Sequence, residues 1–391
     1  MKSALLCLVL SAPLHGELLA TFQTTRGNVV VSLHFDKTPQ TVANFITLAQ
    51  GTRSRTDPAT GAVIRKPLYV GETFYRVLND FSGKLAQTGS GTGNTAGGPG
   101  YAFRDEFDAS LPHGPYILAM QNAGSPHTNG SQIYITGDNG FPDDVGKNTV
   151  FGSVTTGTYA VVDAIMQAGS NGTTINSVSF QRTSPEAMAF NEHSQSLPLC
   201  SGVSGKLEVQ PGVECIYATD NFQPAGSVFR AFRSLNLQTW SKLGEIYQGV
   251  GMMGESNLYI LDSAQASRAF YNISLITHPD ALAPASMANR NIEFGTATTR
   301  KFKVNYDATG FAGTFEDTAS PGAVVGIVSS SYDSEPYKAE WVFVLSNGRQ
   351  FRFSCILDTE NPDVITGRNS SYEFVGGWVP ISSGGLVLSK S

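Results

Sequence analysis

The sequence predicts a mainly β protein, on three observations. Glycine supplies 41 of 391 residues, about 10% against the ~7% of an average chain, which suits turn-rich β structure better than helix bundles. Residues 21–183 contain two clear helical segments among strand-like runs. Near the C-terminus Phe302, Val304 and Tyr306 alternate with Lys301, Lys303 and Asn305, the two-residue period of a half-buried strand.

From the N-terminus, Met1-Lys2, an apolar run from Ala4 to Leu14 and then His15, Glu17 and Leu18-Leu19-Ala20 have the layout of an export signal. This reading assigns residues 1–20 to the signal, makes Ala20 the last residue removed, and places the mature protein in the periplasm or outside the cell. No later run of 18 or more apolar residues exists, so no membrane span remains after processing. The first helix is announced by Thr38 at the N-cap and Pro39 at N1 and ended by Gly51, with Val42, Phe45, Ile46 and Ala49 forming one apolar stripe. The second covers Tyr159–Ala168, with Val161, Val162, Ile165 and Met166 inward and Gly169 as its stop. Between them Gly89–Gly100 is too poor in apolar residues to be anything but loop.

Residues 184–198 are polar and read as a linker. A module of short strands follows over 199–278, closing with Ala269–Leu275, and a second antiparallel β module covers 288–391. The plainest hairpin sets Glu340–Leu345 against Gln350–Leu357 around Asn347-Gly348, a tight-turn dipeptide. Sandwich and barrel both fit these modules.

Composition excludes several functions. Hydrophobic residues are 41% of the chain, enough for real cores and against wholesale disorder. Net charge is −6, from 26 basic and 32 acidic residues, with no lysine/arginine cluster, which argues against a nucleic-acid partner. Of the cysteines left after processing, Cys200 and Cys215 enclose a short segment and are candidates for a disulfide in an oxidising compartment, while Cys355 reads as a small buried hydrophobe. No spacing of Cys and His suggests a metal. Asp138, Asn139, Asp143 and Asp144 crowd one loop but lack the calcium-loop pattern, so neither metal nor cofactor is expected. His34, His113 and His127 have no Ser or Cys at triad spacing, and Gly89–Gly100 lacks the lysine and strand–helix setting of a phosphate loop.

Several segments of the first block are collinear with one family. Thr38–Phe45, Phe74-Tyr75-Arg76-Val77, Gln87-Thr88-Gly89-Ser90, Gly97–Tyr101, Asp105-Glu106-Phe107, Leu118–Gly124, Thr128–Ile135 and Val150-Phe151-Gly152 occur in order. This set resembles the cyclophilin-type peptidyl-prolyl cis-trans isomerases over about 160 of 391 residues. The resemblance implies a closed antiparallel eight-stranded barrel capped by two helices, and an enzyme acting on proline-containing polypeptides.

What that chemistry needs can be stated from physics alone. Rotation about an X–Pro amide meets a barrier of ~18–20 kcal/mol because the nitrogen lone pair is conjugated with the carbonyl. No bond forms or breaks, so no nucleophile, acid, base or metal is required. The catalyst must hold the proline ring and favour the twisted amide over both planar forms. A cation that hydrogen-bonds the proline nitrogen does this, since that lone pair accepts well only when deconjugated. Such a charge-assisted bond contributes roughly 1.5–3 kcal/mol. Arg76 is the candidate, a permanently charged fork of donors, although taken alone it would read as a surface arginine.

The resemblance assigns the remaining roles. Gln87 matches the glutamine that steadies the arginine and holds substrate backbone, and Asn122, with Gln121 beside it, the asparagine whose main chain binds the residue before proline. Gln132 lies in the groove, and Tyr134 stands where the family has the phenylalanine of the pocket floor. Phe141 takes the place of the rim tryptophan and Asn148 that of the histidine. The stretch Phe81–Gln87 is longer than the family spacing, so either Phe81 or Leu85 supplies the apolar wall. The Tyr134 hydroxyl must find a partner or water, and without the rim tryptophan binding of cyclosporin is expected to be weak. The competing reading is a non-catalytic protein that grips proline segments or mediates surface attachment. Leu235–Trp240 with Arg268–Tyr271 is weakly similar to β-sandwich modules of large secreted bacterial proteins, which implies a spacer or binding role and no chemistry.

Overall fold

The structure, a computed structural model, describes residues 17–81, 83–124, 126–141, 146–202, 206–209, 215–220, 228–247, 256–261, 269–277, 287–295, 301–310, 312–319, 324–335, 338–357 and 364–390. The apolar run Ala4–Leu14, Asp143, Asp144 and Arg268 lie outside the described residues. Strands β1 (Leu18–Thr24) and β2 (Gly27–Leu33) form a hairpin that buries Leu18, Ala20 and Phe22 against Val29, Val31 and Leu33. Helix α1 (Pro39–Gln50) follows, then the short hairpin β3 (Arg55–Thr56) and β4 (Val63–Ile64). Next come β5 (Arg76–Asn79), β6 (Lys84–Thr88), β7 (Ile117–Met120), β8 (Ile133–Thr136) and β9 (Val150–Val154). Helix α2 (Tyr159–Ala168) and β10 (Ile175–Arg182) complete the domain. Both helices have the bounds the sequence predicts.

The eight longer strands make one curled antiparallel sheet in the order β10-β1-β2-β9-β7-β8-β6-β5. It does not close by strand pairing, as the expected barrel would. Its two edges are joined where they begin, by an isolated antiparallel bridge from Thr73 to Thr174 and by backbone hydrogen bonds such as Gly71 N to Ile175 O at 2.8 Å and Ile175 N to Glu72 O at 2.9 Å. An antiparallel bridge there directs β5 toward the turn after α2 and away from β10, and Val77 N accordingly donates to Ser170 Oγ at 2.9 Å. Helix α1 plugs the curl. Its apolar stripe enters the core with Phe22, Phe151 and Tyr69 around Phe45, but Thr41, Asn44 and Thr47 on its polar side are buried as well.

Two further expectations change. Processing after Ala20 would strip Leu18, Leu19 and Ala20 from the centre of a ladder in which they pair with both β2 and β10. A cut that leaves the domain whole falls before Leu18. The presumed linker is a packed strap: Ser184 caps α3 (Pro185–Ala189), accepting from Ala187 N at 3.1 Å, and Ala187 and Leu197 are buried in the first core.

The second module holds a four-stranded sheet and a three-stranded one. β11 (Leu199–Gly202), β14 (Val228–Ser234), β15 (Ser241–Tyr247) and β17 (Phe270–Thr277) form the first in the order β11-β17-β14-β15, and β12 (Lys206–Val209), β13 (Cys215–Asp220) and β16 (Ser256–Leu261) the second. The first sheet is welded to the first domain. Cys200 and Ile276 belong to that domain's own core cluster. Thr56 Oγ1 lies 3.2 Å from Cys200 Sγ and 3.4 Å from Ser274 Oγ, and Asn272 Nδ2 donates to Thr60 O at 2.8 Å. The candidate disulfide is not formed: Cys200 is a buried free thiol facing Thr56. Cys215 sits on the other sheet, and its side chain lies outside the described set.

The third module settles the choice between sandwich and barrel. Strands β18 (Arg290–Gly295), β19 (Lys301–Tyr306), β20 (Gly313–Asp317), β21 (Val324–Glu335), β22 (Lys338–Leu345), β23 (Gln350–Leu357), β24 (Val364–Phe374) and β25 (Trp378–Lys390) pair in sequence, and β18 pairs back to β25. Alternation of Phe302, Val304 and Tyr306 inward holds, and the hairpin turns at Gly348 with φ +82°. Cys355 is buried inside this ring, where burial pushes its thiol pKa up. Among the described residues no helix is long and apolar enough to cross a membrane.

Candidate active site

The β5–β6 hairpin sets Arg76 opposite Gln87, and the β6–β8 pairing sets Gln87 opposite Tyr134. Three of the predicted residues are therefore neighbours through backbone register alone. Arg76 Nη1 donates to Gln87 Oε1 at 3.1 Å, which fixes one arm of the guanidinium fork. The Gln87 amide is buried, and its Nε2 donates to Tyr75 Oη and to Gln132 Oε1, both at 2.8 Å. Tyr75 Oη in turn donates to Gln132 Oε1 at 2.5 Å. Gln132 Nε2 reaches the loop carbonyls of Thr95 and Gly97 at 2.9 and 2.7 Å. That loop passes so close to its own start that a Cβ on Gly97 would lie 2.0 Å from Ser90 O, so only glycine fits. Burial raises the Tyr75 phenol well above its ordinary pKa, the hydrogen bond from Gln87 opposing in part. The network thus stays protonated and neutral, apart from the arginine.

A second group holds the backbone beside this network. Asn148 is buried and accepts from Asn122 N at 3.4 Å, Asn122 Nδ2 donates to Lys147 O at 2.8 Å, and Gln121 Nε2 donates to Asn122 O at 3.2 Å. Asn148 is thus a strut behind the Asn122 main chain. Tyr134 is fully buried, and its hydroxyl is 2.9 Å from His113 Nε2. Leu85 and Tyr134 belong to one small apolar cluster with Ile117, Ala119 and Val150, against which half-buried Phe141 packs. Phe141 lies over Gly83, where a Cβ would sit 2.6 Å from its ring. Of the two candidates for the apolar wall, Leu85 is fully buried beside Tyr134 and Phe81 is fully exposed. Phe81 lies in the turn between β5 and β6, exposed and clear of the site.

The polar side of α1 anchors the loops around the cavity. Asn44 Nδ2 donates to Gly130 O at 2.8 Å, and its Oδ1 accepts from Tyr101 Oη at 2.7 Å. The Glu106 carboxylate caps the helix, accepting from Gln40 N at 3.1 Å and from Thr41 N and Thr41 Oγ1 at 2.8 Å. Asp105 accepts from His127 N and Asn129 Nδ2, both at 2.8 Å. These motif residues are braces of the scaffold.

Arg76, Gln87, Gln121, Asn122 and Gln132 open onto one cavity of about 580 Å³, whose far wall comes from the second module. Leu85, Tyr134, Phe141 and Asn148 do not line it; they support it from beneath and beside. Sequence reading missed Tyr75 and His113. The signal for Tyr75 was its place next to Arg76, but only the curl of the sheet brings it to Gln132. For His113 no local signal existed, since its partner is 21 residues away.

Comparison with known proteins places residues 19–184 in one family. The family described as cyclophilin type peptidyl-prolyl cis-trans isomerase/CLD matches residues 19–184. A probable peptidyl-prolyl cis-trans isomerase A of Mycobacterium leprae is 44% identical over 156 residues, covering 39% of this chain and 82% of that protein. Peptidyl-prolyl cis-trans isomerase B of Streptomyces anulatus is 43% identical over 159 residues, 40% of this chain and 87% of that protein. A crystal structure of a Cryptosporidium parvum cyclophilin type isomerase is similar at a TM-score of 0.36 and 22% identity, covering 44% of this chain and 100% of that one. With a cation held by a buried glutamine, and relatives of this identity covered over most of their length, the chain belongs to the cyclophilin-type peptidyl-prolyl cis-trans isomerase family.

Proposed function

We propose that the chain isomerises X–Pro bonds of protein substrates at the Arg76 cavity, by holding the twisted amide more tightly than either planar form. The observation that carries this is the arginine fork tied at 3.1 Å to a buried glutamine, with its remaining donors beside a cavity. A guanidinium anchored in advance loses little entropy when it bonds the pyramidal proline nitrogen, so the bond strengthens as conjugation is lost. In this reading the proline ring rests toward the apolar cluster of Leu85, Tyr134 and Phe141, and the Asn122 main chain holds the residue before it. Loss of a charge-assisted bond worth roughly 1.5–3 kcal/mol lowers kcat/KM about 10- to 150-fold. Isomerisation of a short Xaa-Pro peptide by the full chain, wild type against Arg76→Ala, tests it. The expected result is that turnover falls by this factor while peptide binding is largely kept. Equal rates would overturn the arginine mechanism, and binding without turnover in the wild type would leave a protein that only grips proline segments.

We further propose that this activity serves proteins outside the cytoplasm, with the export signal ending ahead of Leu18. N-terminal sequencing of the exported protein checks this: a first residue beyond Leu18 would contradict it.

A further inference from the structure

The proline itself does not fill the cavity beside Arg76. Leu85, Tyr134 and Phe141, toward which its ring rests in the reading above, do not line the cavity, whereas Gln121 and Asn122 do. The cavity therefore lies on the side of Asn122, whose main chain holds the residue before proline, and receives the chain that leads into the X–Pro bond. A volume of about 580 Å³ is roughly 8 Å across, the length of two to three extended residues.

The far wall of this space is carried by β14. Phe229 and Ala231 pack in the second module's own apolar cluster, so the alternation of the strand turns Phe232 to the opposite face. Phe232 is nonetheless buried, and the first domain covers it: a Cβ on Gly61 would lie 2.2 Å from the ring, and φ at Gly61 is +72°. Pro58, Pro99 and Tyr101 of the first domain line the same cavity. Polar groups here are engaged elsewhere. Tyr101 Oη donates to Asn44 Oδ1 at 2.7 Å, Thr56 N donates to Pro99 O at 2.8 Å, and Thr56 Oγ1 lies 3.2 Å from Cys200 Sγ and 3.4 Å from Ser274 Oγ. With its hydroxyl tied to α1, Tyr101 offers the cavity ring carbon, as do the two prolines and Phe232.

We propose that Phe232 is a specificity-determining residue, with which the second module completes a subsite for a bulky apolar side chain two or three residues ahead of the proline. The inference rests on the isomerase reading above and adds the substrate class. An apolar side chain placed there takes carbon surface out of water on itself and on the wall. The contact lies away from the rotating bond and is the same for the planar and the twisted amide. It therefore acts on KM and leaves kcat to Arg76.

The full chain is assayed on Xaa-Pro peptides in which leucine, alanine, glutamate or lysine is stepped through the positions ahead of the proline. In wild type, leucine two or three residues ahead should lower KM about tenfold against alanine, with kcat changed by less than about twofold. Raising the salt to about 0.5 M should leave this advantage in place, since no charge carries it. Phe232→Ala should remove most of it, by raising KM for the leucine peptide. Protection of the Cys200 thiol from alkylation reports whether the weld survives the substitution. Where it does not, Phe232→Leu, which keeps an apolar side chain on Gly61, and Pro58→Ala take its place, each expected to raise KM for the leucine peptide about threefold. No leucine advantage at either position, an equal or larger advantage for glutamate or lysine, or an equal loss on all four peptides in variants that keep Cys200 protected would overturn the proposal. Inactivity of the wild type on every peptide would instead sink the isomerase reading. The preference is then read from equilibrium binding of the same peptides, where equal affinities overturn it.

Discussion

At Tyr75, one hydroxyl closes a triangle with the buried amide of Gln87 and the half-buried amide of Gln132, accepting from Gln87 at 2.8 Å and donating to Gln132 at 2.5 Å. Tyr75→Phe would leave both amides a partner short, that of Gln87 in a buried place, where an unmet polar group costs about 1–3 kcal/mol. Thermal unfolding should shift down accordingly. Because Gln87 then holds Arg76 less firmly, kcat should fall several-fold with KM changed less; an unaltered kcat would show that Arg76 needs no such support. A second residue sets a pH dependence. Burial lowers the His34 pKa from its ordinary value near 6.5, with Asp36 opposing weakly, and its Nε2 is 3.0 Å from Ser153 Oγ. The unfolded chain therefore binds more protons at this site than the folded one. Stability from neutral His34 is complete above about pH 6.5 and is lost as pH falls below it. Denaturant unfolding between pH 7.5 and 5 should show this slope, and His34→Gln should flatten it.

Helix α1 illustrates how one element serves fold and site together. Pro39 and Gly51 mark its ends in the sequence, and the apolar stripe is plain. Its N-terminal amides, however, are satisfied by Glu106, 65 and 66 residues away, since Thr38 makes no side-chain cap. An anion at a helix N-terminus is favoured by both the open N–H groups and the macrodipole. Glu106→Gln should cost about 1–2 kcal/mol of stability, measured by denaturant unfolding. It should also loosen the loop that Tyr101 and Asn44 tie to the cavity, visible as faster amide exchange at Gly97–Tyr101; exchange unchanged there would separate the cap from the site. The sheet tells the complementary story: alternation reveals strands such as Phe302–Tyr306, whereas the register Arg76–Gln87–Tyr134 that assembles the site depends on partner choice.

Across the whole molecule, the first domain and the first sheet of the second module share a core through Leu197, Cys200 and Ile276. They should unfold in one transition, with the Cys200 thiol protected from alkylation until it occurs, since burial both hides it and raises its pKa. Gly61→Val puts a branched side chain where even a Cβ would meet the Phe232 ring at 2.2 Å, in a left-handed backbone conformation. It should lower the transition by several degrees and split it in two, as monitored by calorimetry. A single transition at the wild-type temperature would mean that the two units do not rely on this contact.

Local chemistry was enough for a reader of the sequence to place both helices, the Asn347-Gly348 hairpin, the family and the pair Arg76 and Gln87, because caps, periodicity and collinear motifs act over a few residues. The exposed Phe81, the strap in place of a linker, the sheet that stops short of closure and the free Cys200 depended on contacts between distant segments. So did the far wall of the cavity, which β14 and β15 supply where Phe232 seats on Gly61. Such contacts are selected by which surfaces fit once the chain is folded, and no short window of sequence contains both partners.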